Sequence, residues 1–178
     1  MTKTIYIDMD GVVADFEAQV RTQLSDSSPP EDENGRFPDS EWQKIVSNPR
    51  FYSQLPEMPR ARDLMDLAMR FRDSLGYELM MLTAIPRHND VAWCFWDKFC
   101  WMRARWPEIP VFFGPYSHDK QHHCKPGDIL VDDRLSNCEE WRAQQGRAIH
   151  VTRDYEQALT ELREILDQEL LLLRDTDS

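Results

Sequence analysis

Five short apolar runs, at residues 4–7, 79–82, 111–113, 129–131 and 148–151, restrict the fold of this chain more than any other feature. Runs of this length bounded by polar or turn residues read as buried strands. Between them lie longer segments of helical character at residues 61–75, 91–106, 137–145 and 155–173. Strand alternating with helix predicts an α/β architecture, a three-layer Rossmann-like parallel sheet, because each crossover must return the chain to start the next strand in the same direction. Ligands bind such sheets at the carboxyl ends of the strands. A chain of 178 residues that is 41% hydrophobic can bury one core and carry a small insertion.

The last helical segment shows its period clearly. Leu159, Leu162, Ile165, Leu166, Leu170 and Leu173 fall on one stripe, with Glu161, Arg163, Glu164 and Asp167 elsewhere, so this helix is expected to pack on the sheet without chemistry. Residues 16–59 break the alternation. They contain Ser27-Ser28-Pro29-Pro30, an acidic stretch at 31–33 and patchy apolar spacing around Trp42, Ile45 and Val46. The expectation is a small, mostly helical cap at 16–59 on a core made of residues 1–15 and 60–178.

Two of the strands run directly into paired carboxylates. Ile5-Tyr6-Ile7 leads into Asp8-Met9-Asp10-Gly11, and Ile129-Leu130-Val131 leads into Asp132-Asp133. Buried carboxylates without partners are costly, and a divalent cation between them relieves that cost. Gly11 lets the backbone turn sharply away. If the two strands are neighbours, the four acids meet at one sheet edge and form a hard-oxygen site suited to Mg²⁺ rather than zinc. Read alone, Asp132-Asp133 also fits an N-cap for the following helix. Asp128 precedes its strand and belongs at the opposite edge. Thr83 ends the run 79–82, placing a hydroxyl and backbone N–H groups where phosphate oxygens can bind. Lys120 supplies a positive charge able to hold a phosphoryl group, with Lys125 as the other candidate.

Charge and cysteine content narrow the partners. With 32 Asp plus Glu against 21 Lys plus Arg and a net charge of −11, most of the surface repels DNA and RNA, so no nucleic-acid polymer is expected. A small anion needs local help from a cation or a few positive groups. Cys94, Cys100, Cys124 and Cys138 lack a CxxC pair, which fits a reducing cytoplasm. No stretch approaches the roughly 20 apolar residues of a membrane helix, so no membrane partner is expected.

In order along the chain, Asp8-Met9-Asp10-Gly11, Thr83, Lys120 and Asp132-Asp133 resemble the motifs of the haloacid-dehalogenase (HAD) superfamily of phosphohydrolases. Within it, the chain resembles the 5′(3′)-deoxyribonucleotidase family. The resemblance rests on Asp8-Met9-Asp10-Gly11-Val12-Val13-Ala14-Asp15-Phe16, on the stretch from Phe51-Tyr52 to Pro59, and on Gly127-Asp128-Ile129-Leu130-Val131-Asp132-Asp133-Arg134. Asp97-Lys98-Phe99-Cys100-Trp101 is similar to an Asp/Glu-Lys-Tyr-x-Trp segment of the same family. Two departures concern substrate choice: Ala84 stands where relatives often keep a hydroxyl residue, and His122-His123-Cys124-Lys125 lengthen the Lys120 loop.

The resemblance implies a Mg²⁺-dependent phosphomonoesterase acting on nucleoside monophosphates through an aspartyl-phosphate on Asp8. Metal would be held by Asp8, the Asp10 carbonyl and Asp133, with Asp132 shaping the shell. Asp10 would be acid and then base, while Thr83 and Lys120 bind the phosphoryl group. Phe16, Phe51 and Tyr52 are candidates to pack on the base or to form ordinary cap core, and Ala84 and Arg134 are candidates to line the substrate. Trp93, Trp96 and Trp101 are expected to pack as helix core. The competing readings are a phosphatase of the same fold for another small phosphometabolite, a noncatalytic metal-binding interaction module, and a zinc site from His118, His122, His123 and Cys124, for which a solvated loop is favoured. Whether the chain forms a homodimer is left open.

Overall fold

The computed structural model describes residues 2–24, 37–152 and 154–176. Residues 27–33, the Ser-Pro and acidic stretch of the expected cap, lie outside them. Each expected strand is present, as β1 (Thr4–Ile7), β2 (Glu78–Thr83), β3 (Val111–Phe113), β4 (Ile129–Asp132) and β5 (Arg147–His150). All pair in parallel in the order β3-β2-β1-β4-β5. The chain builds outward from β1 on one side and then returns to its other side at β4, so the strand order switches between β1 and β4. That crevice is where a doubly wound sheet receives ligands.

Among the described residues, six α-helices accompany the strands: α1 (Phe16–Gln23), α2 (Asp39–Val46), α3 (Ala61–Leu75), α4 (Cys94–Arg105), α5 (Leu135–Ala143) and α6 (Tyr155–Thr176). Two 3₁₀ segments, Phe51–Gln54 and Ser117–His123, complete the description. Period-two alternation divides the strands between the sheet faces. Ile5, Ile7, Met81 and Val131 join Leu64 and Phe71 of α3 and Leu159, Leu162 and Leu166 of α6 in one buried cluster. Tyr6, Leu82 and Leu130 meet Trp141 of α5 in another. α3 stops at Gly76, whose φ of 69° supplies the left-handed residue that closes a helix.

The segment between β1 and α3 shares the main core. Val20, Leu24, Ile45, Phe51 and Leu55 belong to the same cluster as Ile5 and Ile7. It is also stitched through its backbone. The Asp15 amide donates to the Pro56 carbonyl at 2.8 Å, the Met58 amide to the Val13 carbonyl at 2.9 Å, and the Trp101 indole N–H to the Leu55 carbonyl at 2.7 Å.

The structure corrects two packing expectations. Trp93 and Trp96 are 60% and 57% exposed, and only Trp101 of the three packs inside. Trp93 precedes α4 in a left-handed conformation (φ 64°) instead of lying on its inner stripe. At the far end of α6, Leu173 is 46% exposed, at the rim of a cleft it shares with Lys3 and Leu75.

Candidate active site

The acids converge because β1 and β4 are paired in register. Ile7 lies opposite Val131, and the Asp8 amide extends the ladder by donating to the Val131 carbonyl at 3.0 Å. Immediately afterwards the chain folds on itself, with the amides of Val13 and Ala14 donating to the Met9 carbonyl at 2.9 and 2.8 Å. Gly11 has a second reason to be glycine besides its φ of 73°. A Cβ there would stand 2.3 Å from Asp133 Oδ2, so its bare backbone is what admits the second acid pair. Ligand atoms of Asp8, Asp132 and Asp133 lie within 4.8 Å of one another.

Asp132 is fully buried and fully bonded. Its Oδ1 accepts from the Arg134 amide and Asn137 Nδ2, both at 2.9 Å, and its Oδ2 accepts from Asn137 at 3.0 Å and Lys120 Nζ at 2.7 Å. These bonds make it the hub that fixes Lys120 and the start of α5. On Asp8 the bonds fall on Oδ1, from Lys120 Nζ at 2.8 Å and the Met9 amide at 2.7 Å. Burial pushes the Asp8 carboxyl up to about 6 despite the Lys120 charge, and Asp132 and Asp10 push the same way. Asp133 is raised well above the usual carboxylate range, first by burial and then by the charges of Asp132 and Asp8, although Arg134 and Lys120 pull it down. Burial works against the Lys120 ammonium, yet the charges of Asp132 and Asp8 more than offset it and raise its pKa.

Oxygen donors held close, with more negative charge than one ammonium can balance, fit a hard divalent cation. Of the two candidate lysines, Lys120 is the one directed inward, at 2% exposure, because the 3₁₀ segment Ser117–His123 carries it over the ends of β1 and β4. Lys125 is exposed, and its amide caps Asp128 at 3.0 Å. Asp128 also accepts from the Thr4 amide at 2.8 Å, at the opposite edge of the sheet.

Thr83 is fully buried at the end of β2. Its hydroxyl meets a lysine that sequence reasoning named but gave no role. Lys98 Nζ of α4 donates to Thr83 Oγ1 at 3.1 Å, to the Ala84 carbonyl at 2.5 Å and to Asp10 Oδ2 at 2.5 Å. A signal existed in the sequence. Cys94, Asp97, Lys98, Trp101 and Met102 are the buried residues of α4, at spacings of three and four, so a charged pair occupies core positions of a helical stripe. Asp97 in turn accepts from Arg50 Nε at 3.1 and 3.0 Å through its two oxygens. Asn137, which bonds both oxygens of Asp132, was also missed; a polar residue in the first turn of a helix has no distinguishing pattern.

The aromatic candidates form one group with different exposures. Phe51 is fully buried and packs edge-on against Phe16 (5.3 Å between centroids) and Tyr52 (5.2 Å). Tyr52 faces the acids: its ring centroid is 4.6 Å from Lys98 Nζ, and burial, then the Asp10 charge, raises its hydroxyl pKa. Phe16 keeps part of its surface, and Arg134 is exposed beside Asp133. Of the zinc-site candidates, His118, His123 and Cys124 have separate partners. His118 stacks on Tyr116, His123 lies against Tyr6 and Phe112, and Cys124 Sγ is 3.6 Å from the Trp141 carbonyl. A surface cleft of about 440 Å³ beside Lys3, Gly76, Tyr77 and Glu169 is at the other end of the sheet from the acids. The lining of that cleft holds an ion pair between Lys3 and Glu169 at 2.9 Å.

A family model described as 5′ nucleotidase, deoxy (pyrimidine), cytosolic type C protein matches residues 2–171. No curated protein matches the chain. Among solved structures the chain is similar to a HAD family enzyme from Bacteroides thetaiotaomicron. An aspartate-to-alanine mutant of that enzyme, in complex with magnesium and inorganic phosphate, aligns at 10% identity with a TM-score of 0.48, over 84% of this chain and 94% of that one. Another structure of the same enzyme aligns at 12% identity with a TM-score of 0.46, over 84% and 93%. Its magnesium complex aligns at 14% identity with a TM-score of 0.43, over 84% and 92%.

Proposed function

The chain belongs to the family of 5′ nucleotidase, deoxy (pyrimidine), cytosolic type C proteins, and is thus a phosphoric monoester hydrolase of HAD type; from that premise we propose that it removes phosphate from deoxyribonucleoside monophosphates through an aspartyl-phosphate on Asp8. The observation that carries this reading is the meeting of Asp8, Asp132, Asp133 and Lys120 at the switch between β1 and β4. The family description favours pyrimidine deoxynucleotides as first substrates and a cytoplasmic location. Among the described residues, no helix is long and apolar enough to cross a membrane.

Asp8 attacks phosphorus in line, forming the Asp8–phosphorus bond as the ester bond to the sugar oxygen breaks. Asp10 gives its proton to the departing sugar oxygen. It then takes a proton from the water that attacks the phosphoenzyme, and inorganic phosphate leaves with Asp8 restored. Lys120 and Thr83 bind the phosphoryl oxygens, and Lys120 also fixes Asp8 through Oδ1. Asp8, Asp133 and the Asp10 carbonyl would hold Mg²⁺, with Asp132 fixing the surrounding shell, and the bound ion would supply charge neutralisation at the phosphoryl group. Phe16 and Tyr52 face the substrate, Phe51 backs them, and Ala84 and Arg134 border the phosphate. Residues 16–59 act as the small cap that limits substrates to nucleotide size.

The test is phosphate release from deoxyribonucleoside, ribonucleoside and sugar monophosphates with Mg²⁺, beside EDTA and Asp8→Asn. Turnover that needs both Mg²⁺ and Asp8 and prefers deoxyribonucleotides is expected. Equal turnover of unrelated sugar phosphates would remove the nucleotidase assignment from this chain while leaving the reaction type.

A further inference from the structure

Two fully buried carboxylates next to the site, Asp132 and Asp97, use both oxygens. Asp132 receives two bonds on each, and Asp97 receives the Arg50 guanidinium across both. Asp10, like Asp90 at the edge of the segment before α4, leaves one oxygen bare. Its Oδ2 is held by Lys98, whereas its Oδ1 is buried and has no hydrogen-bond partner. A bare buried carboxylate oxygen is costly, so it needs either a structural excuse or a use.

Lys98 is built as a fixed clamp. It is 1% exposed, its ammonium has three N–H groups, and three oxygens receive them: Asp10 Oδ2, Thr83 Oγ1 and the Ala84 carbonyl. The Tyr52 ring lies beneath it, and the neighbouring Asp97 is tied to Arg50, so the clamp is held from the segment preceding α3 as well as from α4. A head group tied to the end of β2 by two oxygens, Thr83 Oγ1 and the Ala84 carbonyl, has little freedom to follow a wandering carboxylate. The carboxylate must follow it.

We propose that Lys98 is the positioning residue for Asp10, clamping Oδ2 so that Oδ1 is the oxygen that delivers the proton to the leaving sugar oxygen and later accepts one from water. The inference rests on the assignment of Asp10 as the acid and base of the proposed reaction. In the first half-reaction the proton on Oδ1 passes to the sugar oxygen as its bond to phosphorus breaks. In the second, a water proton passes to Oδ1 as the water oxygen bonds to phosphorus and the Asp8 ester opens. Lys98 keeps its own protons throughout.

Because this role acts through proton delivery, the leaving group discriminates it from a packing role. Lys98→Met and Lys98→Gln are compared with the unaltered protein, Mg²⁺ present, on a deoxyribonucleoside 5′-monophosphate and on p-nitrophenyl phosphate, whose leaving group departs without a proton. The expected result is a fall in kcat of about 10² or more for the nucleotide, within the range for general acid catalysis, with KM within about threefold. The pre-steady-state burst of nitrophenolate, which reports phosphorylation of Asp8 alone, should change by less than about fivefold. Adding Lys98→Met to Asp10→Asn should produce little further loss on the nucleotide, as expected for two residues acting as a unit.

A loss in the nitrophenolate burst equal to the loss on the nucleotide, or a rise in KM alone, overturns the proposal in favour of packing or phosphate binding. Full additivity with Asp10→Asn overturns it as well. If Asp10→Asn by itself leaves nucleotide turnover unchanged, the assignment of Asp10 fails first, and this result is separable from one in which Asp10→Asn is inactive and the Lys98 variants are not. Thermal melting of both Lys98 variants identifies a variant that does not fold, and the glutamine form, which keeps a donor in the slot, then carries the comparison.

Discussion

Two buried ammonium groups flank the turn that starts at Asp8, and they are bonded differently. Lys120 comes from the 3₁₀ segment Ser117–His123 and lies between two carboxylates, Asp8 at 2.8 Å and Asp132 at 2.7 Å. Lys98 comes from α4 and meets one carboxylate, one hydroxyl and one carbonyl. Lys120 therefore balances charge, whereas Lys98 chiefly fixes direction. Both are equally hidden, so burial alone does not separate an electrostatic from a geometric lysine; the chemistry of the acceptors does.

The largest effect expected from this contrast follows removal of Lys120. Lys120→Met leaves Asp8, Asp132 and Asp133 together without their ammonium, and losing one partner of a buried ion pair costs about 3–5 kcal/mol. Phosphate release should fall on the order of 10² to 10³ through loss of a phosphoryl-binding donor. Urea unfolding of Lys120→Met beside Lys98→Met measures the difference directly. Equal destabilisation by the two would break the contrast, since Lys98 balances only one acid.

Next in size is the response of the acid cluster to Mg²⁺ and pH. The folded-state pKa of Asp8 is raised to about 6, and that of Asp133 is raised well above its ordinary value, so between about pH 4 and 6 these two acids hold more protons in the metal-free folded state than in the unfolded chain. Where the native state holds more protons, stability falls as pH rises. The contribution of these two acids to metal-free stability thus declines across that window, and Mg²⁺ should restore it at neutral pH, by about 3 kcal/mol at a hundredfold excess over its Kd. Asp133→Asn should raise Tm without Mg²⁺ and abolish the Mg²⁺-induced rise. Scanning calorimetry at pH 5 and 7, with EDTA or Mg²⁺, checks both signs; a lower Tm for metal-free Asp133→Asn at pH 7 would mean that the acids are already balanced by the protein.

Much of this was legible in the sequence, and the reason is register. Short apolar runs that end in Asp8 and Asp132 locate the acids at strand ends, and parallel pairing then leaves them no place but one edge. Thr83 and Lys120 follow from the same edge and from their order in the chain. Lys98 was harder to read because a helical Asp-Lys dipeptide is ordinarily a solvated pair, and only the packing of α4 against the Phe51–Gln54 segment turns it inward. Phe51 and Tyr52 are adjacent in sequence and similarly buried, yet only the structure places Tyr52 over Lys98. Gly11 was legible as a turn residue, but its service to Asp133 depends on an approach between segments more than a hundred residues apart.

The smallest effect belongs to the outer face of α4 and tests the same helix from its other side. Trp96 is 57% exposed and stacks only loosely on Phe99, 6.1 Å between centroids, while Asp97 and Lys98 on the next two positions are buried. A helical turn places adjacent residues about 100° apart, so the outer aromatic and the inner lysine report on different surroundings. Trp96→Ser removes a side chain that fills no cavity and leaves no buried partner unmatched, and surface changes of that kind stay within about 0.5 kcal/mol. Melting and nucleotide turnover of Trp96→Ser should therefore match the unaltered protein. A loss of turnover with unchanged Tm would show that motion of α4 as a body reaches Asp10, and the clamp would then have to be understood as a property of the whole helix rather than of the Lys98 head group.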